Sequence, residues 1–170
     1  KVRTGAKKAT THNYHERFKI NDFELEFVSA GHVVGSAMIE CNGLLYTGDY
    51  NPYGTVTSGR AEPQECDTLI VESTYGKPNQ TLPDRNQVLE DLQAWISTTS
   101  SNDGGIIGAY SLGKAQEVIA TANLAGTTPA VSNEVASVSD VYKKYDVPLD
   151  YIKYEDLEDK EKPGLLVTST

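Results

Sequence analysis

A chain of 170 residues with 38% hydrophobic and 23% charged residues has room for one ordinary domain or parts of two, and its composition is globular rather than disordered. No apolar run approaches the roughly 18 residues that a membrane-spanning helix needs, and no signal-peptide pattern opens the sequence, which argues against membrane and secreted classes. The net charge of −9 argues against a non-specific nucleic-acid coat, whose affinity comes largely from Lys and Arg at phosphates.

The first predicted element is Phe23-Glu24-Leu25-Glu26-Phe27, whose alternation puts three apolar residues on one face of a half-buried strand. A loop, Ser29 to Ser36, follows. Ala37–Glu40 and Leu44–Thr47 then flank Cys41-Asn42-Gly43, and an Asn-Gly pair between two apolar runs predicts a hairpin, because both residues tolerate positive φ. To this point the pattern is antiparallel β. Thr68-Leu69-Ile70-Val71 is a continuous apolar run, the mark of a strand covered on both faces. From Asp84 to Thr98, Val88, Leu89, Leu92, Trp95 and Ile96 recur at helical spacing. Gly105–Ala109 reads as a strand, Gly113–Ala125 as a helix stopped by Gly126, Ala130-Val131 as a short strand, Asn133–Tyr145 as a helix capped by Asn133, and Leu165–Val167 as a closing strand. Strand alternating with helix predicts an α/β half with a mainly parallel sheet.

Charge is unevenly spread. Residues 1–20 hold Lys1, Arg3, Lys7, Lys8, Arg17 and Lys19 against Glu16 alone, while residues 146–161 hold seven acids, among them Asp150, Glu155, Asp159 and Glu161, which read as a solvated loop or helix face. Cys41 and Cys66, with no CxxC spacing, predict two reduced, buried thiols in a cytoplasmic protein rather than a thiolate zinc site or a disulfide. The chain begins with Lys and ends near an apolar stretch, so it is expected to be a fragment or a processed piece.

Two constellations could carry chemistry. His32, Asp49 and Glu72 each lie just past an apolar run among small residues, which places metal-ligating or acid–base groups at the rim of a sheet. On spacing alone, a surface histidine and an Asp in a turn after Gly explain the same residues. The second, Gly108-Ala109-Tyr110-Ser111-Leu112-Gly113-Lys114-Ala115, fits the phosphate-loop pattern except at its last position, where Ala115 replaces the hydroxyl residue that ligates Mg²⁺. A simple strand-to-helix turn, with Gly113 relieving crowding and Lys114 in the first helical turn, explains it equally. His12 and His15 could be ligands at i, i+3, or residues of a solvated turn. The tyrosines, Tyr142, Tyr145, Tyr151 and Tyr154 among them, suit base stacking or amphipathic packing.

Taken together, Ala30-Gly31-His32-Val33-Val34-Gly35-Ser36, Tyr46-Thr47-Gly48-Asp49-Tyr50, Cys66 to Gly76 with Glu72-Ser73-Thr74-Tyr75-Gly76 at its end, and Ala109 to Glu117 resemble the β-CASP branch of the metallo-β-lactamase-fold nucleases. The likeness points to the prokaryotic messenger-RNA 3′-end processing factors and ligase-associated DNA exonucleases, and covers residues 14 to 170. It implies an α/β fold: part of a metallo-β-lactamase αββα sandwich over residues 1–76, then the start of a β-CASP cap with a mainly parallel sheet over residues 77–170. It also implies that His32 ligates one of two zinc ions, that Asp49 bridges both, and that Glu72 is the acidic residue of the first β-CASP motif, supporting a later histidine. Hydrolysis of phosphodiester bonds in RNA or single-stranded DNA is the implied reaction.

The family's His-x-His-x-Asp-His motif does not occur in the sequence, and His12, His15 and His32 are its only histidines. The resemblance therefore places the missing ligands before residue 1 and after residue 170, and this chain alone is expected to be inactive. Two further readings stay open. One is a non-catalytic, RNA-binding scaffold paralogue that uses the basic segment 1–20. The other is a phosphate-loop-like nucleotide-binding domain that uses Lys114.

Overall fold

The computed structural model describes residues 8–158 and 162–170. Lys1, Arg3 and Lys7 of the basic segment, and Asp159, Lys160 and Glu161 of the acidic run, lie outside the described residues. Two units partition the chain: Lys1–Gly54 with Arg60–Ser73, and Thr55–Gly59 with Thr74–Thr170.

The first unit is a five-stranded sheet. Strands β1 (Arg17–Ile20), β2 (Phe23–Ser29), β3 (Ala37–Cys41) and β4 (Leu44–Tyr46) form an antiparallel meander, and β5 (Thr68–Ile70) joins parallel to β4 at the edge. The β3–β4 connection is the expected two-residue turn. Asn42 and Gly43 both take left-handed φ, 49° and 80°, so the backbone twist of the turn matches that of the flanking strands. The short strand β1 was not apparent from the sequence, since Arg17-Phe18-Lys19-Ile20 is largely exposed and its pairing rests on the β2 backbone and on Arg17 bonding Glu24 and Glu26.

Two expectations for this sheet need correcting. The apolar face of β2 is not its core face: Phe23 is 59% exposed, while Val28, on the side of the glutamates, is fully buried with Ala30, Met38, Leu45 and Ala61. Register explains it, because Val28 sits opposite Met38 and Leu45 extends the same face. Phe27 instead packs edge-on to Phe18, on which His12 stacks. Second, β5 is not covered on both faces. It is the end strand, Leu69, Ile70 and Val71 are all exposed, and among the described residues this unit contains no helix to lie over them. The thiols of Cys41 and Cys66 are free as expected, but half-buried rather than buried.

In the second unit, helix α1 (Arg85–Ser100) starts at Asp84, whose carboxylate accepts the Gln87 amide at 3.0 Å. Strand β6 (Gly105–Ala109), helix α2 (Lys114–Leu124), strand β7 (Ala130–Val131), helix α3 (Asn133–Lys143), strand β8 (Ile152–Lys153) and strand β9 (Leu165–Ser169) follow. The sheet runs β6-β9-β7-β8, every pair parallel. The molecule is thus mixed α/β, mainly antiparallel in its first sheet and parallel in its second. Leu165, Val167, Val131, Ile119, Val135 and Ile96 are buried in this unit. Ser132, not Asn133, is the cap residue of α3, and the Asn133 side chain donates through Nδ2 to the Glu155 carboxylate at 2.8 Å instead.

A polar side chain joins the β6–α2 turn to α3. Gln116 is fully buried; its Oε1 accepts the Gly113 amide at 2.8 Å, while its Nε2 donates to the Ser111 carbonyl at 3.1 Å and to Ser139 Oγ at 3.0 Å. An amide side chain with donors and acceptor all engaged is stabilising, and removing it strands its partners. Gln116→Leu, which keeps most of the volume, should lower the unfolding free energy by about 2–4 kcal/mol in urea denaturation, because the buried Ser139 hydroxyl and the half-buried Gly113 amide and Ser111 carbonyl lose their partner together.

Candidate functional site

Strands β2 and β4 are each antiparallel to β3 and so run the same way, and β5 runs parallel to β4. Their C-terminal ends therefore share one edge of the sheet, and the segments carrying His32, Asp49 and Glu72 leave from that edge. With β3 between them, the ends of β2 and β4 are about 10 Å apart. The loops close the gap: His32 Nε2 stands 3.8 Å from Asp49 Oδ2, both side chains open to solvent at 47% and 72%.

The His32 loop is held by backbone and one hydroxyl. Ser36 Oγ accepts the amides of His32 and Val33, each at 3.1 Å, and the Ser36 carbonyl accepts the Ala30 amide and the Tyr14 hydroxyl. Burial raises the pKa of that Tyr14 hydroxyl, so it remains a donor. Against the same loop lies the segment after Asp49: the Asn51 amide bonds the Ala30 carbonyl, the Ala61 amide bonds the Asn51 carbonyl, and the Glu62 amide bonds the Ser29 carbonyl. Such close approach requires glycine at position 31. A Cβ there would lie 2.2 Å from Ala61 N and 2.7 Å from Asn51 O, and its φ is +62°.

Asp49 and Glu72 are joined through Thr47, which is buried. Its amide donates to the Ile70 carbonyl, its hydroxyl donates to the Gly48 carbonyl at 2.7 Å, and the Glu72 amide donates to that hydroxyl at 3.4 Å. The structure thus brings His32 and Asp49 into one pair and sets the backbone of Glu72 beside the residue that precedes Gly48-Asp49. Neither Thr47 nor Ser36 stood out in the sequence, since a hydroxyl residue at a strand end carries no pattern of its own.

One imidazole nitrogen and one carboxylate oxygen are suitable donors for zinc. Two donors on a tetrahedral ion with bonds of about 2.0–2.2 Å lie about 3.3 Å apart, so a separation of 3.8 Å needs only a small side-chain rotation. No group of three or more His, Cys, Asp and Glu able to hold a metal occurs among the described residues. What the described residues bring together is two donors of that kind, His32 and Asp49.

Other candidates are used elsewhere. His15 places Nδ1 3.1 Å from Glu26 and Nε2 3.0 Å from Glu62, and His12 faces Glu16 at 3.2 Å. The exposed Glu16 carboxyl is held below its usual range by the Asn13 amide first and by His12 second. At the phosphate-loop-like turn, Gln116 occupies the Gly113 amide, the Tyr110 carbonyl takes the Ala115 amide, and Lys114 Nζ lies 2.7 Å from Glu117, which Arg85 also approaches. That geometry is a strand-to-helix turn with Gly113 at φ +86°, in which the Gly113 and Ala115 amides are bonded within the turn. Tyr151 donates to Asp140 at 2.5 Å, and Tyr142 is buried, so these two serve packing and structure; Tyr145 and Tyr154 are exposed. No helix among the described residues is long and apolar enough to cross a membrane.

Gly31 and Gly35 offer a matched test, since both have positive φ but only Gly31 is crowded, with nothing within 4 Å of a Cβ at Gly35. Gly35→Ala should cost about 1–2 kcal/mol of conformational strain, whereas Gly31→Ala should cost about 3 kcal/mol or more, because backbone must also move. Denaturation midpoints of the two variants check the difference.

No family model matches the sequence. Over 119 residues, 65% of this chain and 28% of the relative, it is 39% identical to an RNase J-like protein of Methanocaldococcus jannaschii. It is 34% identical over 118 residues to the endoribonuclease YSH1 of Saccharomyces cerevisiae, covering 66% of this chain and 15% of that one. To the transcription termination factor FttA of Methanocaldococcus jannaschii it is 35% identical over 108 residues, 56% of this chain and 17% of that one. The chain thus spans less than a third of the length of these curated relatives. Among solved structures it is similar to a protein of unknown function from Enterococcus faecalis V583, with a TM-score of 0.63 over 97% of this chain and 45% of that one at 13% identity, a likeness of fold alone. Together with the four motifs at the ends of its strands, these relatives identify the sequence: the chain belongs to the β-CASP metallo-β-lactamase family.

Proposed function

We propose that this chain is part of a zinc-dependent nuclease that hydrolyses phosphodiester bonds of RNA or single-stranded DNA, and that the chain alone does not catalyse the reaction. The observation that carries the reading is the His32–Asp49 pair, 3.8 Å apart at the edge where β2, β4 and β5 all end. The names of two relatives, an RNase J-like protein and an endoribonuclease, support the same class of reaction.

In this reading His32 presents the Nε2 lone pair of its neutral imidazole and Asp49 presents carboxylate oxygens, both on the solvent side where a nucleic-acid strand can reach them. Zinc bound there would supply a low-pKa water and neutralise charge developing on the phosphate. Glu72 serves as an acidic residue that orients a histidine contributed by the rest of the protein. The remaining ligands come from residues outside this chain. The exposed apolar side chains of Leu69, Ile70 and Val71 support that view, since they suit a strand that further structure covers.

The test uses the full reading frame that contains this chain. Asp49→Ala should lower hydrolysis of a single-stranded RNA or DNA oligonucleotide by on the order of 10³-fold or more and reduce bound zinc measured by atomic emission. Unchanged turnover would remove Asp49 from the site. The 170-residue chain assayed beside it should show no hydrolysis above buffer; cleavage by the isolated chain would overturn the claim that it is incomplete.

A further inference from the structure

We propose that Thr47 is a positioning residue that sets the relative placement of Asp49 and Glu72 through a single hydroxyl. This inference rests on the reading above, in which both carboxylates belong to the site. The Thr47 hydroxyl has one proton to give and lone pairs to accept with. It gives the proton to the Gly48 carbonyl at 2.7 Å and accepts the Glu72 amide at 3.4 Å.

Both contacts fall on peptide planes that lead directly into the carboxylate residues. The Gly48 carbonyl lies in the same rigid plane as the Asp49 nitrogen and Cα, so fixing that oxygen fixes where the Asp49 Cα sits and the direction of its N–Cα bond. The Glu72 amide lies in the plane that joins residue 71 to Glu72, and its bond to Thr47 does the same there. One oxygen atom therefore ties two segments 25 residues apart in sequence.

Asp49 depends on that control more than a packed residue would. Its side chain is 72% exposed, and it follows Gly48, whose φ of +53° belongs to a backbone with little intrinsic preference. With most of its side chain in solvent and His32 its neighbour at 3.8 Å, its orientation depends on the backbone beneath. Thr47, by contrast, is 4% exposed and anchored a third time through its own amide, which bonds the Ile70 carbonyl at 3.0 Å. A buried, thrice-bonded residue thus holds an exposed one.

Three variants of the full-length protein separate hydroxyl from packing. Thr47→Val keeps the shape and removes the hydroxyl; Thr47→Ala and Thr47→Ser both lack the methyl group and differ from each other only in the hydroxyl. The Val and Ala variants should lose tenfold or more in kcat with KM changed less than threefold, bind less zinc in the absence of substrate, and exchange the Glu72 amide at least tenfold faster. Thr47→Ser should restore zinc content and slow Glu72 exchange to near the values of the parent protein. If the Val variant fails to fold, the Ala and Ser pair gives the same comparison.

Equal losses in the Ala and Ser variants would overturn the proposal in favour of a packing role for the methyl group, and so would Val and Ala variants that match the parent in zinc content, kcat and exchange. Asp49→Ala measured in parallel tells the two failures apart. If Asp49→Ala abolishes turnover while the Thr47 variants do not, only the role of Thr47 falls; if Asp49→Ala also leaves zinc and turnover intact, the metal reading falls and the inference with it.

Discussion

The site at the edge of the first sheet depends on how closely two stretches of backbone can approach each other. Ser29, Ala30 and Gly31, where β2 ends, lie against Asn51 and Ala61-Glu62, and three amide–carbonyl bonds among these residues hold them at backbone contact distance. Only a residue without a side chain fits between them, because a Cβ on Gly31 would sit 2.2 Å from Ala61 N. From that contact the rest follows in order. Ala30 and Ala61 become core residues beside Val28, Met38 and Leu45, the His32 loop is closed by Ser36, and the chain after Tyr46 turns back so that Asp49 meets His32. A site of exposed polar residues is in this way supported by a small apolar core and by main-chain bonds rather than by contacts among the polar residues themselves.

The second unit applies the same economy at its β6–α2 turn. There Gln116 takes the place that a ligand or water would have in an open loop, bonding Gly113, Ser111 and Ser139 from a fully buried position. The turn resembles a phosphate loop in sequence because both need glycine where a strand passes into a helix. They differ in where the amides point, and here Gln116 and the Tyr110 carbonyl engage those of Gly113 and Ala115. Lys114 forms an ion pair with Glu117 within the same helical turn, a common fate for a lysine beside an acid at i+3.

Much of this architecture was legible in the sequence because it is local. Asn42-Gly43 specifies its hairpin through the φ angles the two residues tolerate, the helical spacing of Val88, Leu89, Leu92, Trp95 and Ile96 marks α1, and Gly126 ends α2 with φ +75°. The faces of β2 and β5 were not legible. Phe23-Glu24-Leu25-Glu26-Phe27 shows which residues share a side but not which side meets the core, and that was decided by the register of Val28 against Met38. Thr68–Val71 has the apolar content of an interior strand yet forms an edge, since neighbours in space, not composition, determine burial. Strands β1 and β8 were not legible because Arg17-Phe18-Lys19-Ile20 is largely exposed and Ile152-Lys153 has no continuous apolar run, so neither shows a buried face.

The sequence by itself determined the turns, the alternation from antiparallel to α/β, and the motifs that mark the family, because each is a property of residues within a few positions of one another. Tertiary structure alone decided that His32 and Asp49 stand 3.8 Å apart, that Thr47 links the peptides entering Asp49 and Glu72, and that Gly31 bears the contact beneath them. These relations join residues 17 to 30 positions apart in the chain, and only strand order and register, through the direction in which β2, β4 and β5 run, bring them to one edge.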